Sequence, residues 1–476
     1  MGKILRTIGL LSAGSVLVPA LNQARAEQTE KPNILLLLID DMGYRDTGFT
    51  GSDFYETPVI DSLASRGMVF NQAYACAGNS APSRSCLISG QFTPRNGVYA
   101  VYHTKRGPKE YMRLEPYPNE SNLPLDCYTI AEAMRDAGYA TGMVGKWHLG
   151  DSGHSPAMQG FMMAKEEKPQ SMEEFKRTND PKNMFSEVDT MIDFIEKSVD
   201  EGKPFFGYLP FHAVHTAWQA RQDYVDYFSG KKPGKLHKQP LYAAMIRNLD
   251  DAIGKLVDKI NELGISDNTI IIFTSDNGGV PKTSQAPLRG FKGCLYEGGI
   301  RVPMFFYCPA RIQAGSTDLP VANVDFFPTV VDMAGGDIPE DKVLDGISLK
   351  GLLYGEKEMA ERPVLYWHFP GYLDKPCPGG RDELFRQRPS TVMRKGDWKL
   401  TLYYEEWMLD GGWEARDTNH CTELYNLKDD MSETHDLSSE CPEIRDAMLA
   451  EMLQWLRDND VDMPTVKQQN SKTAER

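Results

Sequence analysis

Asn33-Ile-Leu-Leu-Leu-Leu-Ile39, followed at once by Asp40-Asp41, is the stretch whose reading decides the fold. A continuous apolar run of this length, without polar alternation, reads as a strand buried on both faces of a parallel sheet. In open α/β sheets ligands gather beyond the carboxyl ends of the strands, which is where the two aspartates fall. Outward from this run, Thr57-Pro58 reads as the cap and first position of a helix to about Arg66, and Met68 to Tyr74 as a strand. Tyr128 to Ala137 reads as a helix ended by Gly138, and Ala140 to Val144 as the next strand. Helices at Phe185–Val199, Tyr242–Leu263 and near Phe326–Ala334 alternate with apolar strands at Phe205–Leu209, Thr269–Phe273 and Val302–Tyr307. This alternation predicts an α/β fold with a large mixed, mostly parallel sheet flanked by helices.

The pattern changes near residue 360. Thr391–Tyr404 and Thr422–Leu427 read as shorter antiparallel strands, and Pro442–Asp458 as a closing helix, so a smaller C-terminal α+β subdomain is expected over 361–476 after a larger part over 27–360. The segment 1–26 reads as a signal peptide: Lys3 and Arg6 precede the apolar stretch Ile8–Leu21, and Ala24-Arg25-Ala26 gives the cleavage pattern. Export to the periplasm or medium follows, with no membrane span. The polar end from Thr465 to Arg476 is expected to fray. The whole chain of 476 residues carries a net charge of −15, which becomes −18 once Lys3, Arg6 and Arg25 leave. So acidic a balance is a poor match to nucleic acid, and taken globally it disfavours any polyanionic partner. The eight cysteines show no CxxC pair, which argues against structural zinc, while Cys421 and Cys441 form a candidate disulfide in the C-terminal part.

The ends of the expected strands are unusually polar. They read Asp40-Asp41, Gly145-Lys-Trp-His148, Phe211-His-Ala-Val-His215 and Ser275-Asp-Asn277, with the loops Ser80-Ala-Pro-Ser-Arg84 and Leu288-Arg-Gly-Phe-Lys292 beside them. Each alone also fits a turn, a helix cap or a solvated charge. Together the carboxylates and the amide make a hard, all-oxygen ligand set suited to Ca²⁺ or Mg²⁺ rather than zinc. Lys146 and His148 alternate by two, so an extended segment would aim both to one side. Of His212 and His215, one reads as a proton donor or anion ligand and the other as a packing residue.

At Ser80-Ala-Pro82-Ser-Arg84, with Cys86-Leu-Ile-Ser-Gly90 after it, the chain resembles the type I sulfatases of the alkaline phosphatase superfamily. Their signature is Cys or Ser, any residue, Pro or Ala, any residue, Arg, then a helix closing near Gly. Leu38-Ile-Asp-Asp41, Gly145-Lys-Trp-His-Leu-Gly150, Ser275-Asp-Asn-Gly278, Lys292-Gly-Cys-Leu-Tyr-Glu-Gly-Gly299, Gly396-Asp-Trp-Lys-Leu400 and Glu423-Leu-Tyr-Asn426 extend the resemblance over nearly all of the chain past residue 26. The resemblance implies an alkaline phosphatase-like fold and oxidation of Ser80 to 3-oxoalanine (formylglycine), whose hydrated aldehyde attacks sulfur. It implies one Ca²⁺ held by Asp40, Asp41, Asp276 and Asn277 and touching residue 80. Arg84 would hydrogen-bond the hydrated aldehyde, with Lys146 as its neighbour. His148 would act as base in aldehyde regeneration, and His215 and Lys292 would bind the sulfate, one of them protonating the leaving alcohol. Serine rather than cysteine at position 80 fits a sulfatase-maturating enzyme of the anaerobic radical type; an engineered replacement of cysteine would read identically.

The expected substrate is a sulfated carbohydrate, with His103, Lys105, His154, Trp218 and Arg221 as candidate sugar contacts that read equally well as ordinary surface residues. Three alternatives stand beside this reading. A phosphatase or phosphodiesterase of the same superfamily would use Ser80 directly, with two metal ions. A formylglycine phosphonate monoester hydrolase is a smaller variation. A sulfoglycan-binding homologue would have lost the modification and the catalysis.

Overall fold

The strand expected at Asn33–Ile39 forms over those residues as β1 and lies inside an eight-stranded sheet. The computed structural model describes residues 31–356 and 362–467, so the expected signal segment 1–26 and the boundary at 360/361 lie outside them. The other strands of the sheet are β2 (Met68–Phe70), β3 (Ala140–Gly145), β4 (Met163–Glu166), β5 (Phe205–Pro210), β6 (Thr269–Ser275), β7 (Met304–Tyr307) and β8 (Gly315–Thr317). Their order across the sheet is β8-β2-β7-β6-β1-β5-β3-β4. β1 pairs in parallel with β5 and β6, and β3 in parallel with β5 and β4. β7 runs antiparallel to both β2 and β6, which makes the sheet mixed but mostly parallel.

Flanking helices are α1 (Pro58–Ser65), α2 (Ser80–Ser89), α3 (Ile130–Asp136), α4 (Met184–Asp200), α5 (Pro240–Glu262), α6 (Phe326–Ala334) and α7 (Pro442–Asp458). The two-residue period of a strand divides β1 between two cores. Ile34, Leu36 and Leu38 pack with Ile130 and Met134 of α3 and Phe326 and Val330 of α6. Leu35, Leu37 and Ile39 pack with Met191 and Ile195 of α4 and Leu249 and Ile253 of α5. Burying each such side chain contributes about 1.5–3 kcal/mol, which is why an uninterrupted apolar run is needed where both faces are covered. Helix starts follow familiar chemistry: α3 opens with a capping box between Thr129 and Glu132, and α1, α5 and α7 begin with proline in the first turn. Thr57 is the exception to expectation. Its hydroxyl donates to Asp61 and accepts from the Gly48 N–H, so it does not cap α1.

The second sheet is antiparallel and consists of β9 (Leu365–Phe369), β10 (Ser390–Lys395), β11 (Trp398–Tyr403) and β12 (Thr422–Asn426). Helix α7 lays Met448, Leu449 and Met452 on Leu400, Leu402 and Leu424 of that sheet. Two of the ties between this sheet and the larger part involve Trp367 and Lys399. Trp367 donates its indole N–H to the Ala75 carbonyl at 2.8 Å and meets Tyr74 edge-on at 5.5 Å. Buried Lys399 bridges Glu297 at 3.0 Å and Glu433 at 2.8 Å.

Three further expectations change. The strand expected over Met68–Tyr74 is interrupted after Phe70; Ala73–Tyr74 leaves the main sheet and pairs with Val321–Ala322. Thr465–Val466, expected to fray, pairs with Leu114–Glu115, and residues past 467 lie outside the description. Cys421 and Cys441, the candidate disulfide, are both free thiols. Cys421 is sealed in the core of the second sheet, while Cys441 sits half-buried just ahead of α7.

Candidate functional site

The carboxyl edges of β1, β3, β5 and β6 converge on one point. β1 delivers Asp40 and Asp41, and β6 delivers Asp276 and Asn277, all four buried. Asp41 has a left-handed backbone (φ 68), a conformation that aspartate tolerates better than most residues. The turn lets the Asp41 N–H donate to Asp276 Oδ1 at 3.2 Å. Carboxylate oxygens of Asp40, Asp41 and Asp276 lie within 4.8 Å of one another.

Ser80 and Arg84 do not lie in a loop, as their Ser-Ala-Pro-Ser-Arg sequence suggests. They form the first turns of α2, which begins at Ser80 and closes on Gly90 in the left-handed conformation (φ 68). Pro82 fits in the first turn because its missing N–H would have no helical partner there. Ser80 Oγ lies 3.2 Å from both Asp40 Oδ1 and Asn277 Oδ1, either of which can accept its one proton, and Lys292 Nζ stands 3.4 Å from it. One turn on, Arg84 has no exposure. Its Nε and Nη2 bind Asp276 Oδ2 at 2.9 and 2.8 Å, and Nη1 donates to the Lys146 carbonyl at 2.6 Å.

Lys146 Nζ reaches Asp40 Oδ2 at 2.5 Å, and Lys292 Nζ reaches Asp41 Oδ1 at 2.5 Å. His215 Nε2 lies 3.6 Å from Asp41 Oδ2 and stays partly exposed to the cavity. Burial opposes charge on Asp40, yet Lys146, Arg84, Lys292 and His215 together hold its carboxyl well below the usual range. Asp276 moves the other way, raised by burial and by Asp40, with Arg84 opposing. His148 is pushed down to about 3 by burial and by Lys146 and Arg84. It is a neutral imidazole at pH 7. Its backbone is left-handed (φ 64), so Lys146 and His148 face the same cavity through a turn rather than through an extended segment.

A cavity of about 720 Å³ opens over this centre, within the range of small-molecule sites. Ser80, Lys146, His148, His212, His215 and Lys292 line its floor. His212 is nearly buried, pairs with Glu187 at 3.2 Å and is pushed down to about 3 by burial, so it packs while His215 stays open. The five candidate sugar contacts are not among the residues lining this cavity. His103 is exposed, and Lys105 pairs with Glu115 at 2.5 Å. His154 gives its carbonyl to the Trp147 indole, Trp218 packs on Tyr242, and Arg221 covers the Phe185 ring. Tyr102, Arg106, Glu166, Lys168 and Arg386 line the mouth instead. Arg106 adjoins a residue chosen from sequence, whereas Arg386 arrives from the C-terminal part through long-range folding that leaves no local signal.

The site fits a hard divalent cation. Its donor set is all oxygen, and Asp41 Oδ2 is buried with no hydrogen-bond partner among the described residues. Three carboxylates are matched by Arg84, Lys146 and Lys292, so a divalent ion would make the floor net positive, as an anionic ester requires.

Comparison with known proteins gives a consistent picture. The family described as Sulfatase matches residues 32–336, and the family described as N-sulphoglucosamine sulphohydrolase, C-terminal, matches 291–458. A protein named Sulfatase from Formosa agariphila is 31% identical, covering 89% of this chain and 87% of its own. The N-acetylgalactosamine-6-sulfatase of Mus musculus is 30% identical over 76% of this chain and 71% of its own. Among solved structures, Ps i-CgsB in complex with k-i-k-neocarrahexaose superposes with a TM-score of 0.72 at 29% identity, covering 90% of this chain and 94% of that one.

Proposed function

The chain belongs to the sulfatase family and is a sulfuric ester hydrolase, and from that premise we propose a formylglycine- and calcium-dependent enzyme acting on a sulfated carbohydrate. One observation carries the mechanism: Ser80 Oγ, at the first turn of α2, sits 3.2 Å from Asp40 and Asn277 and 3.4 Å from Lys292, under an open cavity. Asp40, Asp41, Asp276 and Asn277 would hold one Ca²⁺ per chain. Formylglycine at position 80 supplies the nucleophilic hydroxyl and the cation supplies charge neutralisation when both are in place.

The protein's own groups do the rest. Arg84, locked on Asp276 and the Lys146 carbonyl, holds positive charge under residue 80 without needing to reorganise. Lys292 and His215 stand on either oxygen of Asp41 and face the cavity, where they grip the sulfate oxygens and one of them passes a proton to the departing alcohol. His148 faces the cavity as a neutral imidazole and is the candidate base for the group at position 80, with burial, Lys146 and Arg84 opposing its protonation. Lys146 keeps Asp40 ionised and in place.

The sugar as substrate is favoured by the relatives, which include an N-acetylgalactosamine-6-sulfatase and a structure bound to a neocarrahexaose. The 1–26 segment favours export, and no helix among the described residues is long and apolar enough to cross a membrane. Maturation would need an enzyme of the anaerobic type, because position 80 is serine. Mass spectrometry of the peptide carrying residue 80, from protein made in its own host, should show loss of one H₂. Plain serine there, with no hydrolysis of any sulfate ester, overturns the proposal. Elemental analysis should return calcium; zinc in its place would favour the phosphatase alternative.

A further inference from the structure

The cavity extends beyond the groups that the sulfate needs, and its outer wall is cationic on one side. Arg106 and Arg386 both line it, although they lie far apart in sequence. One short segment, 372–375, fastens the two. Arg106 N–H donates to the Tyr372 carbonyl at 3.1 Å, and Arg386 N–H donates to the Leu373 carbonyl at 2.8 Å. Arg386 Nε adds a bond to the Lys375 carbonyl at 3.2 Å, and Arg106 Nη2 lies 2.8 Å from Asp374. Arg386 also donates from Nη1 to the carbonyl of Lys292 at 3.0 Å, so it stands directly behind the lysine at the nucleophile.

Two guanidinium groups on one platform repel each other, and half-exposed Asp374 is the single carboxylate paired with them among the described residues. Arg386 sits below its ordinary value, from burial first, with the Arg106 charge adding to the effect. Its Nη2 has no hydrogen-bond partner among the described residues. Other charged groups face the same space: Lys168 adds a further cation, and Asp151, Glu166 and Glu167 bring carboxylates from other segments, Glu167 being held by Lys165 at 2.8 Å. Two guanidinium groups sharing one carboxylate leave one positive charge unmatched at the cavity wall, and their planar donor forks match sulfate or carboxylate oxygens. The carboxylates would repel a second anion from their own side and accept sugar hydroxyls there instead.

We propose that Arg106 and Arg386 form a second anion subsite, which binds a further sulfate ester or a carboxylate on the same saccharide whose sulfate is cleaved. This assigns the substrate class as a sugar with at least two acidic groups, and it rests on the sulfatase reading of the floor.

The test uses the unmatured Ser80 protein with calcium, which should bind saccharides without turning them over. Calorimetric titrations compare galactose monosulfates with galactose disulfates covering every pair of positions, and with a sulfated uronic acid. One disulfate or the uronate should bind about ten- to a hundredfold more tightly than its monosulfate, the worth of a charge-assisted pair. Arg106→Gln should bring that ratio close to one, and Arg106→Lys should restore part of it. Equal affinities in the wild-type protein, or a ratio that survives Arg106→Gln, overturns the subsite. If the ratio behaves as stated but matured protein cleaves no sulfate ester, the subsite stands and the sulfatase mechanism falls. If matured protein cleaves monosulfates and shows no ratio, the reverse holds.

Discussion

At the scale of single residues, Arg84 shows how much geometry one side chain can hold. Its Nε donates to Asp276 and its Nη1 to the Lys146 carbonyl, so it ties the ends of β6 and β3 to the first turns of α2 that carry Ser80. Arg84→Lys keeps the charge but cannot make both contacts from one nitrogen. It should lower kcat of the matured enzyme about a hundredfold or more, a loss typical of removing one preorganised donor, with little change in KM; steady-state kinetics on an aryl sulfate checks this. A second residue, away from the site, sets a pH response. His368 is buried, accepts from the Thr391 hydroxyl at Nδ1 (2.7 Å) and donates from Nε2 to the Asp462 carbonyl (2.8 Å), which is the neutral tautomer. Burial pushes it down to about 4. The unfolded chain, with an ordinary histidine near 6.5, therefore binds more protons than the folded one between about pH 6.5 and 4. The stabilisation is complete above that window and is lost as pH falls through it, by about 2 kcal/mol between pH 7 and 5. Urea unfolding at the two pH values should show this loss shrinking in His368→Gln, since glutamine cannot take up the proton.

At the scale of elements, the strand ends matter because they bring residues from distant parts of the sequence into contact. Gly145, the last residue of β3, has φ 119, and a Cβ there would stand 2.2 Å from the Pro210 carbonyl at the end of β5. Gly145→Ala combines a left-handed backbone with a backbone clash and should cost roughly 2–5 kcal/mol. Because Lys146 and His148 follow directly, activity should fall further than thermal stability alone explains. Activity measured well below the variant's own unfolding temperature tests this. How much was legible in the sequence follows the same physics. β1 announces itself, because only a strand buried on both faces needs six apolar residues in a row. Asp40, Asp41, Lys146, His148, His215, Asp276 and Asn277 were legible as a group because each lies just beyond the carboxyl end of such a strand. The start of α2 was not, because Ser-Ala-Pro-Ser is equally good turn chemistry, and nothing local distinguishes the first turn of a helix from a loop there. The break after Phe70 was hidden as well, since Ala73-Tyr74 keeps strand character while changing sheets. Arg386 was beyond local reading altogether, being placed by the segment 372–375.

At the scale of the whole molecule, the net charge of −15 is a poor guide to the ligand. Part of the acidic excess lies in the buried floor, where Arg84, Lys146 and Lys292 match it locally, so a protein repelling anions at long range can still hold one at short range. The same local matching joins the antiparallel sheet to the larger part. Lys399 on β11 is buried between Glu297, the first residue of the short helix Glu297–Ile300, and Glu433 of the C-terminal part. Burial with nearby Glu297 raises Glu433 to about 7 even against Lys399, while Glu297 is held down to about 2 by Lys399, Arg301 and Arg394 once their charges outweigh its burial. The trio is therefore balanced only while the lysine is present. Lys399→Ala leaves two carboxylates in the interior facing one another, and removing one partner of a buried pair costs roughly 3–5 kcal/mol. Because the cluster ties the antiparallel sheet to the helix at Glu297 in the larger part, that cost falls on the molecule as a unit. Thermal unfolding of Lys399→Ala should move several degrees lower yet remain one transition, with loss of activity and the tryptophan fluorescence change coinciding. An early fluorescence step that leaves activity intact would show instead that the antiparallel sheet unfolds on its own. Lys399→Met, which restores volume but not charge, should remain nearly as destabilised as alanine, separating electrostatic balance from packing as the tie between the antiparallel sheet and the larger part.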